Sequence, residues 1–199
     1  MISAIRNKID SALHKKGYAI KKILPRPSIL FIKKREKDFL VGAEIGTFEG
    51  ENAESILKIL PIKKIYLIDP YEKYEDYEKD TAYNSLNRAE QKAKKKLMRY
   101  KEKIVWVKKK STEALKEIPD NLDFVYIDGN HSYEFAKEDM DNYYKKLKAG
   151  GVLAGHDIEN GIDLKEGVTL AFVEFINKNH LKPYILYPDW WTVKEKKNK

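Results

Sequence analysis

Phe39-Leu40-Val41-Gly42-Ala43-Glu44-Ile45-Gly46-Thr47-Phe48-Glu49-Gly50 reads as a short apolar strand that runs directly into a glycine-rich turn. Glycine permits positive φ and a close backbone approach at such a turn. Residues 52–60 then read as a helix stopped by Pro61, and residues 64–68 as a second strand ended by Asp69-Pro70. The alternation continues with a helix over 80–100, for which Asp80 is a candidate N-cap, a strand over 104–107 and a short helix over 111–118. A strand over 122–127 and a helix burying Ala136, Met140, Tyr143 and Leu147 come next. Gly150-Gly151 turns the chain into a strand over 152–155, followed by a helix over 168–179 and two closing strands, 183–187 and 191–194, around Pro188-Asp189. This rhythm demands a mostly parallel sheet with helices on both faces and right-handed crossovers. The expected fold is α/β: a Rossmann-like, doubly wound, seven-stranded, mostly parallel sheet with an antiparallel C-terminal strand pair.

The chain has 199 residues, enough for one domain with a sizeable core. It has no cysteine, which excludes a disulfide scaffold, a thiolate zinc site and a catalytic thiol. No apolar run approaches the length of a membrane span, and residues 1–16 lack the apolar block of a signal peptide, so a cytoplasmic location is expected. The net charge of +8 is localised: residues 1–38 hold eleven Lys/Arg against three Asp/Glu, and the remainder sums to zero. Ile2, Ile5, Ile9 and Leu13 form the apolar stripe of a helix stopped near Gly17; Pro25 and Pro27 break its continuation, and Lys33 to Asp38 is a charged linker. Residues 1–38 are therefore read as a basic helical cap and linker on a main domain, 39–199. Such a segment is either a solvated face or a contact for something acidic.

In an open parallel sheet, ligands lie beyond the carboxyl ends of the strands at the topological switch point. The turn at Glu44–Gly50 sits there, and Asp69 ends the second strand twenty-three residues after Gly46. An acidic residue there can accept hydrogen bonds from both ribose hydroxyls, which fits a dinucleotide as well as S-adenosylmethionine (SAM). The pattern E-x-G-x-x-x-G is not G-x-G-x-x-G, and Glu44 and Glu49 are poor neighbours for a pyrophosphate but suit an ammonium group. Both facts favour SAM over NAD. On the same edge, Asp128 and His131 follow the fourth strand, and His156 and Asp157 follow the fifth. Two carboxylates and two imidazoles together suit proton transfer or a divalent cation. The bland alternatives stay open: His131 as a cap of the helix starting near Ser132, and His156 as a bond between strand ends.

Taken in order, E-I-G-T-F-E-G, L-I-D-P-Y, V-Y-I-D-G-N-H-S-Y, L-K-A-G-G-V-L-A-G-H-D, G-V-x-x-A-F-x-E-F and D-W-W-x-V-K resemble class I SAM-dependent methyltransferases over residues 39–194. The D-G-x-H-x-Y segment is similar to the group of macrocin-type O-methyltransferases and cephalosporin hydroxylase-like proteins. The resemblance implies that Glu44, Gly46, Thr47 and Gly50 cradle the methionine part of SAM, and that Asp69 holds the ribose with Pro70 and Tyr71 beside the adenosine. It implies that Ser111 and Thr112 border the adenine and that Asp128 lies under the transferred methyl. In metal-dependent relatives the positions of Asp128, His156 and Asp157 bind a divalent ion, usually magnesium. A histidine at 156 departs from that pattern and would suit manganese, iron or zinc better.

The expected activity is SAM-dependent methyl transfer, to a small-molecule hydroxyl above other acceptors, with Asp128, His131 and His156 as the candidate catalytic groups. A tyrosine-rich segment, 69–77, is either a lid over the acceptor or a surface loop. An RNA-associated methyltransferase using the basic first 38 residues, a non-catalytic SAM or nucleoside binder, and an NAD-linked enzyme are the other readings, the last the weakest. Nucleic acid is a less favoured partner than a small molecule, no membrane partner is expected, and a homo-oligomer stays open.

Overall fold

The computed structural model describes residues 25–35, 38–72, 83–158 and 167–195. The expected helix at Ile2–Leu13 and its stop at Gly17 lie outside these residues. So do the Asp80 cap and most of the tyrosine-rich segment.

Seven strands form one sheet in the order β3-β2-β1-β4-β5-β7-β6. They are β1 (Leu40–Ile45), β2 (Ile62–Ile68), β3 (Ile104–Val107), β4 (Leu122–Ile127), β5 (Leu147–Gly155), β6 (Tyr184–Leu186) and β7 (Asp189–Val193). The pairs from β3 through β5 are parallel, while β7 runs antiparallel to both β5 and β6. The helices are α1 (Pro27–Arg35), α2 (Glu51–Ile59), α3 (Tyr83–Leu97), α4 (Ser111–Ala114), α5 (Tyr133–Lys146) and α6 (Gly167–Asn179). A 3-10 turn at Met98–Lys103 carries α3 into β3.

Period-two alternation divides the strands between two cores. Ala43, Ile45, Val125, Ile127, Leu153 and Trp190 face α4, α5 and α6, whose Ala114, Ala136, Met140, Phe172 and Phe175 complete that core. Leu40, Phe124, Tyr126, Val152 and Trp191 face the opposite layer, where Ile29 and Ile32 of α1 and Ala53, Ile56 and Leu57 of α2 pack. The sheet is therefore covered on both faces, as parallel sheets require.

Three local expectations need correction. Pro27 opens a helix of its own where a linker was expected, because its missing N–H is no loss in the first turn. That helix runs to Arg35, so the first residues of the expected charged linker form its last turn, held by the buried Ile29 and Ile32. Gly150-Gly151 does not precede β5 but lies inside it, as a bulge against β4 with Gly150 at φ 83. Backbone bonds of Lys194 with Gly150 and Gly151, 2.7 and 2.8 Å, keep this stretch in the sheet. β7 starts at Asp189, inside the expected turn, because Asp189 is a fully buried anchor.

That anchor joins α1 to the sheet. Asp189 Oδ2 accepts from the backbone N–H and the hydroxyl of Ser28, at 3.1 and 2.5 Å, and Oδ1 accepts from the Tyr126 hydroxyl at 3.1 Å. The carboxylate thus takes a free amide of the first turn of α1, where negative charge is favoured. Replacing Asp189 with Ala strands three buried donors. We expect a loss of about 2–4 kcal/mol in urea unfolding; a change below about 0.5 kcal/mol would mean that water replaces the carboxylate.

Candidate active site

The backbone ladder continues one residue beyond four strand ends, with Asp69 N–H donating to Val107 O at 3.2 Å. Gly46 N–H donates to Ile68 O at 2.9 Å, Asp128 N–H to Ile45 O at 2.8 Å, and His156 N–H to Ile127 O at 3.1 Å. The ends of β2, β1, β4 and β5 are thereby tied side by side, with Asp69, Gly46, Asp128 and His156 in a row. Gly46 sits at φ 83, and a Cβ there would lie 2.0 Å from the Asp128 carbonyl oxygen. Only glycine fits, so the turn can lie directly against the Asp128 backbone.

A cavity of about 450 Å³ opens above this row. Ile45, Gly46, Thr47, Phe48, Asn52, Asp69 and Pro70 line one part, and Ser111, Asp128, Gly129, Asn130, His131, Phe135 and Asp139 another, with Arg26 and Leu86 also on its wall. Asp69 clamps the turn: Oδ2 accepts from Phe48 N–H and Oδ1 from Tyr71 N–H, both at 2.8 Å. Burial pushes its carboxyl up, and these N–H groups offset part of that shift. Phe48 and Tyr71 both take positive φ, 45 and 50°, to present those amides.

Not every expected residue faces the cavity. Glu44 is fully buried behind the turn, where Oε1 accepts from Asn52 Nδ2 at 2.8 Å; Asn52 faces the cavity in its place. Strand alternation turns Glu44 toward α2 while Ile45 faces the ligand side. Gly50 is the left-handed N-cap of α2 and lies against Ala93 and Leu97, away from the cavity. The Tyr71 ring is buried, with its hydroxyl donating to Phe48 O at 3.0 Å, so it braces the turn from below. Ser111 lines the cavity; Thr112 does not.

The second cluster is compact. His131 Nε2 lies 3.0 Å from Asp157 Oδ2, and His156 Nδ1 lies 2.8 Å from Asp157 Oδ1 and 3.9 Å from Asp128 Oδ1. Asp157 takes φ 63, a conformation Asp tolerates, which sets its carboxylate between the two imidazoles. Burial would raise the Asp157 carboxyl, but the His156 hydrogen bond and the nearby histidines hold it below the usual range. Single ligand atoms of Asp128, His131 and Asp157 lie within 4.8 Å of one another, a grouping that shares Asp128 and Asp157 with the expected metal set and has His131 where that set had His156. His156 is instead the neighbour that orients Asp157. His156 and Asp157 lie outside the main cavity and line a second hollow of about 370 Å³, which shares His131 with the first. Ser132, not His131, is the N-cap residue of α5.

Sequence reasoning missed Arg26. Its guanidinium donates to the Tyr126 hydroxyl at 2.5 Å and pairs with Asp128 Oδ2 at 3.1 Å. Burial works against its charge, yet Tyr126, Asp128 and Asp189 hold its pKa above the ordinary value. In return, burial raises the Asp128 carboxyl and Arg26 is the largest effect opposing that. No local pattern announces a pairing across 102 positions of chain; only an arginine framed by two prolines, Pro25 and Pro27, marked it as rigidly placed.

Residues 43–158 match the model of a methyltransferase domain family, and the chain belongs to that family. SAM is the cofactor of this class. An uncharacterized protein of Acanthamoeba polyphaga mimivirus is 30% identical over 128 residues, which are 63% of this chain and 54% of the relative; the alignment thus spans about half the length of that relative. Among solved structures, the N-methyltransferase NodS from Bradyrhizobium japonicum, in complex with S-adenosyl-L-homocysteine, superposes with a TM-score of 0.60 at 14% identity, covering 85% of each chain. An rRNA methylase from Streptococcus thermophilus superposes with a TM-score of 0.58 at 15% identity, covering 86% of this chain and 96% of that one. At such identities these structures share the fold, the seven-stranded class I methyltransferase sheet. The cavity suits SAM: it has nucleoside size, a carboxylate at the β2 end, and buried polar atoms awaiting partners, Asn52 Oδ1 and Asn130 Nδ2.

Burial pushes the Glu44 carboxyl up to about 8, with the Asn52 amide only partly opposing. A folded value raised above the unfolded one favours the neutral form. The contribution of Glu44 to stability is therefore fully present below about pH 4.5 and is lost as pH rises through about 8. Glu44→Gln should remove this loss, gaining stability over wild type progressively between those values in denaturation curves of the free protein. Parallel pH profiles for the two proteins would show that Glu44 is already ionised.

Proposed function

We propose that the domain transfers the methyl group of SAM to a hydroxyl of a small-molecule acceptor. The observation that carries this reading is His131, which faces both hollows and is oriented by Asp157 at 3.0 Å. A hydroxyl must lose its proton as it attacks, and an imidazole backed by a carboxylate is a suitable base. SAM, when bound, supplies a methyl group already activated on its sulfonium sulfur. The chain supplies alignment and a place for the proton. Gly46, Thr47 and Asn52 would hold the methionine end and Asp69 the ribose. With His131 Nε2–H donated to Asp157, His131 Nδ1 is the nitrogen that takes the acceptor proton, and Asp157 stabilises the imidazolium. The second hollow, lined by Ile158, Val168, Tyr187 and Pro188 as well as the histidines, has room for a small acceptor.

Asp128, His131 and Asp157 also suit a divalent cation such as magnesium or manganese, which would lower the hydroxyl pKa and orient it. Arg26 already neutralises one oxygen of Asp128, which weakens that use of the site. The purified chain, given SAM and a panel of hydroxyl compounds, should release S-adenosylhomocysteine. His131→Ala should lower kcat by about 100-fold or more. Turnover that survives EDTA assigns the chemistry to His131 and Asp157 alone, whereas turnover lost to EDTA and restored by manganese assigns it to the cation. Methylation of RNA oligonucleotides in place of every hydroxyl compound would overturn the small-molecule reading.

A further inference from the structure

The corner of the cavity on the β2–β3 side carries a polar pair that methyl transfer does not use. Phe135 and Asp139 are one turn apart on α5 and face the same cavity, whose wall here also includes Ile68 and Leu86. Asp139 is 4% exposed. Its carboxylate is hydrogen-bonded to the Ser111 side chain, and Oδ2 lies 3.8 Å from where a Cβ on Gly129 would sit. One turn further along α5, Tyr143 donates its hydroxyl to Ser111 O at 2.7 Å, so α5 and the start of α4 are locked together. Asn130 follows Gly129 and is also buried. Its Oδ1 accepts from Ser132 N–H at 2.9 Å, which fixes the direction of the amide and leaves Nδ2 as a buried donor without a partner. An apolar slot thus holds a buried carboxylate whose side-chain donor is Ser111 and, beside it, a buried amide donor without a partner, which is costly unless a ligand meets it.

The sheet order says which part of the ligand comes here. Asp69 ends β2, Ser111 follows β3, and the His131–Asp157 cluster lies at the other side, beyond β4 and β5. With the ribose at Asp69 and the reacting methyl toward Asp128, the nucleobase falls between Ser111, Phe135 and Asp139. Adenine is flat and apolar on its faces, and its edge offers an amino donor beside a ring-nitrogen acceptor. That edge is the complement of the pair.

We propose that Asp139 and Asn130 read the adenine edge, Asp139 accepting from the exocyclic amino group and Asn130 Nδ2 donating to the adjacent ring nitrogen. Asp139 is a specificity-determining residue in this assignment, which rests on the SAM reading above. Burial pushes its carboxyl up to about 7, in keeping with a group whose charge lacks a full set of donors until a ligand arrives.

Hypoxanthine inverts the edge, with a carbonyl where adenine has its amino group and an N–H at the ring position. Calorimetric titration with S-adenosylhomocysteine and with S-inosylhomocysteine therefore tests the pair without turnover. Wild type should bind the adenosine compound at least about tenfold more tightly. Asp139→Asn should shrink or invert that ratio, because its amide can donate to the hypoxanthine carbonyl. Asn130→Asp, a second variant, should weaken the adenosine compound more than the inosine one. Equal affinity of wild type for the two compounds overturns the proposal. So does an Asp139→Asn variant that keeps the wild-type ratio, even if both affinities fall, since that marks a purely structural residue. Folded wild type that binds neither compound would instead overturn the SAM reading itself.

Discussion

The site depends on a backbone constraint: the hydrogen-bond ladder runs one residue past the carboxyl ends of β1, β2, β4 and β5. Gly46, Asp128 and His156 are fixed to their neighbours by main-chain bonds of 2.8–3.1 Å before any side chain contributes. That extension requires the turn after β1 to press against the Asp128 carbonyl, and the approach is open only to a residue without Cβ. Everything else in the cavity is referred to this row. Asp69 clamps the turn from one side, and the His131–Asp157–His156 cluster closes the other. The Asp69 clamp and the imidazole–carboxylate cluster thus occupy opposite ends of one rigid edge.

A second, side-chain framework ties the N-terminal helix to this edge. Ser28, Asp189, Tyr126, Arg26 and Asp128 form a continuous chain of hydrogen bonds and ion pairs from α1 through β7 and β4 to the cavity wall. Arg26 and Asp189 lie outside the stretch that matches the family model, yet Arg26 pairs with Asp128 inside it and Asp189 holds the Tyr126 hydroxyl that Arg26 also bonds. A buried chain of this kind is stable only when each member is satisfied. Trp190 adds packing to the same region, with its ring against Gly155 and Phe172 and its N–H donated to His156 O at 2.9 Å. The residues beyond the family match therefore shape the surroundings of Asp128 and His156 as well as the sheet edge.

Much of the fold was legible because it rests on local periodicity. β3 and β4 fall where the apolar runs 104–107 and 122–127 place them, and the other elements differ mainly at their ends. Gly150-Gly151 misled because a glycine pair reads equally as a turn or a bulge, and only pairing with β4 and Lys194 decides. Within the site, Gly46, Thr47, Asp69, Pro70, Ser111, Asp128 and His131 reach the main cavity. Glu44 and Tyr71, equally prominent in the motifs, face away from it and hold the turn from behind. A motif marks the stretch that approaches the ligand but not which of its side chains point there. Asn130 and Asp139 passed unnoticed because one followed a stronger motif and the other stood beside the apolar stripe of α5.

The sequence by itself determined the alternation of strand and helix, the glycine turn with an acidic residue ending the next strand, and the cluster of acids and imidazoles after β4 and β5. These are local patterns, and local patterns suffice to set a doubly wound sheet and its ligand-bearing edge. Tertiary structure alone decided that Arg26 pairs with Asp128, that His131 rather than His156 completes the compact trio, and that Asp139 faces the cavity floor. Those outcomes depend on the direction of each side chain after distant segments have packed together, and nothing in the residues flanking each position encodes that direction.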